Sequence, residues 1–211
     1  PRLARLIATL RKVRPHLDVH AHEVPMIQKV RDLRSGFLDA ALAPESGYGR
    51  GIVSEPIWHD PPIVLLPCNH PLAVKDELVL ADIVSEPLVL CRPDTGLGQQ
   101  SQIEQIVRTA AATPNIVDRA TSLCMLVMLV YAGDGIGVAT AAQLEAVGSA
   151  DLVLRPLCDA PAGVKTWLLT RDEEAAEPLV RFVETARTIA RITCAGYLYG
   201  REPSGNPCRG R

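Results

Sequence analysis

The stretch Ser35-Gly36-Phe37-Leu38-Asp39-Ala40-Ala41-Leu42-Ala43 constrains the fold more than any other part of the chain. Upstream of it Ile27, Val30 and Leu33 recur at helical spacing, and that pattern stops at a glycine. Gly36 suits the left-handed position just past a helix end, where a residue bearing Cβ is strained. Residues 38–43 are then short and apolar apart from Asp39, which reads as a buried strand. A helix-to-strand corner of this kind is the joint of an α/β fold.

The neighbouring segments extend that reading. Residues 1–14 form an amphipathic pattern that halts near Pro15, because the residue before a proline is pushed out of the α region. Residues 17–22 alternate as a strand, and Pro25 opens the helix that Gly36 closes. A strand, a helix and the strand at 38–43 make a β-α-β unit, hence parallel strands. After the Pro/Gly loop at 44–51, residues 53–57 and 63–67 are extended, and the turn at Asn69-His70-Pro71 marks a domain boundary. From residue 78 to 156, strands at 87–91, 116–120, 136–139 and 152–155 alternate with helices at 99–112, 122–132 and 141–147. That alternation predicts a parallel sheet covered on both faces. Residues 164–170 are a further strand and 175–192 a long helix with Leu179, Phe182, Val183, Ala186 and Ile189 on its apolar side. Residues 193–211, rich in Gly, Pro and Arg without periodicity, are expected to be disordered or cloning-derived.

A chain of 211 residues with 47% hydrophobic and 22% charged residues carries a globular core rather than a disordered segment. Its net charge of −2 leaves no electrostatic footprint for nucleic acid. The basic residues near the start (Arg2, Arg5, Arg11, Lys12, Arg14) share a helix with Leu3, Leu6, Ile7 and Leu10 and read as its solvated face. Six cysteines without a C-x-x-C pair indicate neither a zinc site nor a disulfide framework, which fits a reducing cytoplasm. The start does not read as a signal peptide, and no apolar run nears the roughly 20 residues of a membrane span.

Catalytic patterns are absent from the sequence: there is no G-x-S-x-G elbow, no G-x-x-x-x-G-K-[ST] loop and no H-E-x-x-H helix, so the chain is expected not to be an enzyme. Gly133-Asp134-Gly135-Ile136-Gly137 imitates a dinucleotide fingerprint, but it leaves a helix and enters a strand, the reverse of the required order. Its glycines cap the helix and form the turn, with a positive φ expected at Gly135. His20 and His22 point to one face of a strand without a third ligand, so they read as a polar face and not as a metal pair. Asp39 reads as a carboxylate satisfied by backbone donors at a strand end, and Cys124 as a small core residue. No cofactor and no metal are expected.

Binding is the better-supported chemistry. In open α/β sheets ligands settle at the carboxyl ends of strands, where loops feed helix N-termini whose amides favour anions. Three such loops can be read: one at Pro25 and Met26, one at Arg92-Pro93-Asp94-Thr95-Gly96-Leu97, and one leading to Ser122 and Leu123. Ser122 is a natural N-cap, and Arg92 and Arg119 are cations able to pair with a carboxylate.

Three landmarks in order, the corner at Gly36, Asn69-His70-Pro71-Leu72-Ala73 after a strand, and Tyr131-Ala132-Gly133-Asp134-Gly135-Ile136-Gly137-Val138 after a helix, resemble the effector-binding domain of LysR-type transcriptional regulators. The resemblance covers residues 1–192. It implies two Rossmann-like subdomains joined by two crossovers, similar to the type 2 periplasmic binding proteins. Subdomain I would comprise residues 1–68 and 163–192, subdomain II residues 69–162, and hinges would lie near Pro67 and Gly163. It also implies a strand leading into the first helix, so that either the chain is numbered from an ordered or cloned fragment or its first sheet has a gap where a central strand belongs. The three loops would line an interdomain cleft for a small-molecule effector. Met26 stands where the family often has Ser or Thr, and Thr140 where proline is frequent; with Leu97, Met26 favours a partly apolar organic acid. Promoter DNA would be reached only through an N-terminal winged helix-turn-helix outside this chain, and a homodimer or homotetramer is expected, with no membrane association. The rival readings are a transporter's solute-binding protein and a small α/β enzyme.

Overall fold

The chain turns at Gly36 as its sequence requires, with Ser35 as helix C-cap and Gly36 at φ 77°. The computed structural model describes residues 2–92, 99–147, 152–160 and 163–199. In chain order its elements are α1 (Arg2–Val13), α2 (Met26–Arg34), β1 (Ala40–Ala43), β2 (Ile52–Asp60), β3 (Pro62–Pro67), a 3-10 turn at Pro71–Val74, α3 (Leu80–Ile83) and β4 (Leu88–Cys91). They continue as α4 (Gln99–Arg108), β5 (Ile116–Ala120), α5 (Leu123–Ala132), β6 (Ile136–Thr140), α6 (Ala141–Val147), β7 (Leu152–Pro156), β8 (Val164–Arg171) and α7 (Glu177–Tyr199). The fold is α/β, and it divides into a first unit, residues 1–59 with 165–199, and a second unit built on residues 60–164.

The first unit holds a three-stranded sheet in the order β1-β8-β2. β1 pairs antiparallel with β8, Ala40 opposite Thr170 and Ala43 opposite Trp167, instead of forming the parallel β-α-β pair expected with residues 17–22. Those residues alternate in sequence but are not a strand. The reason is spatial: a ladder needs its partner about 4.8 Å away. Here Val19, His20 and His22 are parted from Ala40, Ala41 and Leu42 by a cavity of about 560 Å³. Leu3 and Ile7 of α1 and Phe182 of α7 line the same space. α1 and α7 cover the sheet through Leu6, Leu10, Ala186 and Ile189, packed with Ile57, Trp58 and Leu168. Arg187 of α7 grips Glu55 of β2 through two hydrogen bonds of 2.7 and 2.6 Å.

The second unit holds a five-stranded sheet in the order β5-β4-β6-β3-β7. β4 runs parallel to β5 and to β6, while β3 runs antiparallel to both β6 and β7. β4, β5, β6 and β7 therefore all point one way, as their intervening helices require, and the expectation of a wholly parallel sheet fails only at β3. β3 enters ahead of the first helix of the series, so no crossover dictates its direction, and its apolar run Ile63-Val64-Leu65-Leu66 inserts between β6 and β7. The chain accordingly enters this unit between His59 and Asp60, ahead of the Pro67 hinge position expected from sequence, and leaves it between Val164 and Lys165. The Asn69-His70-Pro71 landmark is a turn inside the unit, where His70 Nδ1 accepts from the Leu72 amide at 3.2 Å.

Both faces of this sheet are covered. Ile83, Ile103 and Val107 pack one face over Val64, Leu66, Leu88 and Val138. Leu126, Leu129, Val130 and Leu144 pack the other over Leu65, Val89 and Ala139. Between α5 and β6, the residue with positive φ is Gly133, at 90°, and not Gly135. Gly135 is required for a different reason, since a Cβ there would lie 2.4 Å from the carbonyl oxygen of Pro87. α7 continues to Tyr199, so residues 193–199 are helical where an irregular tail was expected, and residues 200–211 lie outside the described set.

Candidate functional site

β4 and β5 end side by side, with Cys91 in register with Ala120. The Arg92 amide donates to the Ala120 carbonyl at 2.9 Å, and the Cys91 thiol donates to the Ser122 carbonyl at 3.6 Å. The strand ends are thus pinned together just where each chain segment leaves for a helix, β4 for α4 and β5 for α5. Ser122 is the N-cap of α5, in extended backbone at φ −153°, and its Oγ accepts from the Met125 amide at 3.1 Å. Helix geometry leaves the amides of Leu123 and Cys124 without an intrahelical acceptor, and the first turn carries no acidic residue to meet their positive end.

Glu104 of α4 dominates the electrostatics of this end of the sheet. Its carboxylate takes Arg119 of β5 bidentately, at 2.8 and 2.9 Å, and Arg108 one turn along α4 at 2.7 and 3.0 Å. Hydrogen bonding to Arg119 first, and to Arg108 second, holds the Glu104 carboxyl down at about 2. Arg119 therefore has its guanidinium fork engaged by the protein, which weighs against the expected role as a cation for a ligand carboxylate. Arg92 is exposed. The role of Glu104 was missed in sequence, although Glu104 and Arg108 show the i, i+4 spacing of a helical ion pair.

The other expected site residues are distributed as follows. Pro25 is the N-cap of α2 at φ −57° and ψ 152°, and its carbonyl accepts from the amides of Gln28 and Lys29. Met26 is half-buried against the Leu33, Ala43 and Leu169 cluster. With Ile27, Val30, Arg34 and Tyr48 it lines a shallow cavity of about 440 Å³. Leu123 packs at the edge of the Leu126 and Leu129 cluster. Pro93, Asp94, Thr95, Gly96 and Leu97 lie outside the described residues. Pro25 and Met26 belong to the first unit, and Arg92, Ser122 and Leu123 to the second.

Residues weighed for chemistry have other partners. His20 meets Asp18 at 2.9 Å and His22 packs its ring on Phe37, while both line the 560 Å³ cavity. Among the described residues no group of three His, Cys, Asp or Glu could hold a metal ion. Asp39 is largely exposed, with Arg171 3.8 Å away, and is not the buried strand-end carboxylate expected. Burial pushes the Cys91 thiol up to about 11, away from nucleophilic use. Cys124 is an exposed free thiol, not a core residue, and Cys68 is disulfide-bonded, a departure from the expectation drawn from cysteine spacing. Lys29, unremarked in sequence, lines the 560 Å³ cavity of the first unit and donates to the Leu42 carbonyl at 3.3 Å. Burial lowers its ammonium pKa. No helix among the described residues is long and apolar enough to cross a membrane.

Residues 1–189 match the family described as the LysR substrate binding domain. An uncharacterised HTH-type transcriptional regulator of Escherichia coli, YnfL, is 24% identical over 175 residues, covering 83% of this chain and 59% of that protein. The DNA-binding transcriptional dual regulator OxyR of Escherichia coli is 26% identical over 164 residues, covering 78% of this chain and 53% of that protein. The chain thus spans between half and three-fifths of the length of these relatives. Among solved structures, the BenM effector binding domain with its effector benzoate superposes with a TM-score of 0.79 at 20% identity, covering 96% of this chain and 90% of the other. Full-length BenM superposes with a TM-score of 0.74 at 20% identity, covering 97% of this chain and 66% of the other. These likenesses show the shared fold.

Proposed function

The chain belongs to the LysR substrate binding domain family, and we propose that within a longer transcriptional regulator it senses a small, partly apolar organic acid and controls transcription through a separate DNA-binding domain. The observation that carries this reading is the pair of adjacent parallel strand ends, Cys91 and Ala120, pinned by the Arg92 amide and leading to the N-terminal turns of α4 and α5. Unpaired amides and the positive end of the helix dipole favour an anion at such a place. Benzoate, named as the effector of the BenM domain, is an apolar body with one carboxylate and has the proposed chemistry. The effector would occupy the cleft that the family resemblance implies, with Met26 contributing an apolar wall.

A sensor needs no catalytic group. It needs a ligand whose affinity differs between two conformations, so that binding shifts their populations. The relatives are named as transcriptional regulators, which supports a non-enzymatic role. Their setting would be the cytoplasm, where promoter DNA is. The net charge of −2 supports leaving DNA contact to another domain. Assembly as a homodimer or homotetramer belongs to the same reading, with exposed apolar residues Leu3 and Val13 on α1, and Met128 and Tyr131 on α5, as contact points.

A thermal-shift panel tests the ligand class. Benzoate and short aliphatic carboxylates should raise the melting temperature, by mass action on the folded state. Benzamide should do so little, since a neutral amide loses the charge that the helix ends favour. Equal stabilisation by acid and amide would remove the basis for an anion site.

A further inference from the structure

β5 is the edge strand of its sheet, with β4 as its ladder partner, and the β4–β5 register shifts between Leu88 and Val89. An edge strand with an interrupted ladder is weakly placed by backbone hydrogen bonds alone. The carboxyl half of β5 is nevertheless the part that delivers Ala120 and Ser122 to the start of α5. What holds it is a side chain: Glu104 of α4 grips both terminal nitrogens of Arg119, the residue before Ala120. Glu104 is itself steadied by Arg108, and its carboxylate is mostly shielded, its side chain 14% exposed. α4 in turn is anchored by Ile103 and Val107, both fully buried in the core of this unit. A firmly seated helix thus fixes the end of a loosely laddered strand through one bidentate ion pair.

We propose that Glu104 is a positioning residue for the effector site, setting through Arg119 where the Ala120–Ser122 end of β5 stands relative to α4. This rests on the reading of an anion site at the ends of β4 and β5. A planar fork paired with a carboxylate fixes angle as well as distance, so the geometry of the strand end depends on this pair and not merely on overall stability. Glutamine at 104 keeps the shape and one acceptor oxygen but loses the charge and the two-oxygen grip. Arg119→Lys keeps the charge but loses the fork.

The test uses the whole chain and two readouts, benzoate titration and amide exchange by NMR. Glu104→Gln should weaken benzoate binding about tenfold, the equivalent of about 1.4 kcal/mol. It should also speed exchange several-fold at the Arg92 and Met125 amides, which bond to Ala120 and Ser122, while leaving Val138 in β6 unchanged. Arg119→Lys should do the same in lesser degree, and it stands in if Glu104→Gln does not fold. Benzoate affinity within twofold of the parent, or acceleration equal at Val138, would overturn the proposal. If the parent chain takes no carboxylate, the organic-acid reading fails on its own account. Exchange then decides alone: acceleration confined to Arg92 and Met125 supports the positioning role, and unchanged exchange overturns it.

Discussion

Arg171 Nη1 donates to the carbonyl oxygen of Leu38 at 2.7 Å, and the same nitrogen reaches the carbonyl of Leu33 at 3.1 Å. One guanidinium near the end of β8 thereby closes the Gly36 corner, giving the Leu38 carbonyl a donor and the Leu33 carbonyl, which also accepts from the Gly36 amide at 3.1 Å, a second one. Glu173 accepts from the Arg171 Nε, and Asp39 lies 3.8 Å from its Nη2.

Arg171→Met should keep much of the packing volume and remove the donor. Leaving the partly buried Leu38 carbonyl without this donor costs about 1 to 3 kcal/mol. We expect the midpoint of urea unfolding to fall by that equivalent with an unchanged slope, and an unaltered midpoint would mean that water replaces the guanidinium at no cost.

At the second helix-to-strand corner the glycines divide their labour, and substitution separates them. Gly133 has the left-handed backbone, so Gly133→Ala should cost on the order of 1 kcal/mol. Gly135 has Pro87 against it, and the Ile136 amide donates to that same Pro87 carbonyl at 2.8 Å. Gly135→Ala must push β4 and β6 apart, for about 3 kcal/mol. Thermal denaturation should therefore rank Gly135→Ala as the worse of the two, and the reverse order would refute the close-approach account.

The contrast at this corner marks how far sequence could be read. Local turn chemistry was legible: Gly36 and the caps at Ser122 and Pro25 follow from residues within a few positions of each other. What a glycine faces across a sheet was not, because Pro87 lies far away in the chain and joins Gly135 only through the β4–β6 pairing. Arg119 shows the same limit. Its charge was visible and its partner was not, since Glu104 sits on the preceding helix and meets it only in three dimensions.

Residues 17–22 show the limit from the other side, for their alternation signals a strand that needs a partner to form. The cavity between them and β1, lined by Val19, Ala40, Leu42 and Phe182, has apolar walls and an open strand edge. A strand-forming segment placed ahead of Pro1 should enter it and pair on both sides. Chains with and without such an extension should differ in melting temperature by several degrees, the extended one being higher, and in slower amide exchange at Ala40 and Leu42. No difference in either would show that the cavity does not accept a strand.

The Glu104 cluster also sets a pH dependence with a definite sign. Its carboxyl, held at about 2 by Arg119 and Arg108, is depressed below its ordinary value near 4.5. A depressed acid contributes stability that is fully present above the unfolded value and is lost as pH falls through the folded one. The contribution of this cluster should thus fade between about pH 4.5 and 2 and be constant above that window. Glu55, lowered by its hydrogen bonds to Arg187, and Asp82, lowered by Lys75 and the Val79 amide, add acid sensitivity of the same sign. The cationic partners Arg119, Arg108, Arg187 and Lys75 are each more than a third exposed, which screens all three carboxylates, so no one of them should dominate. Glu104→Gln removes only its own share: its melting temperature should lie below the parent at pH 7 and approach it as pH drops toward 3, while Glu55 and Asp82 still titrate in both proteins. A constant difference between parent and variant across the whole range would show that Glu104 stabilises the fold through shape alone and not through its charge.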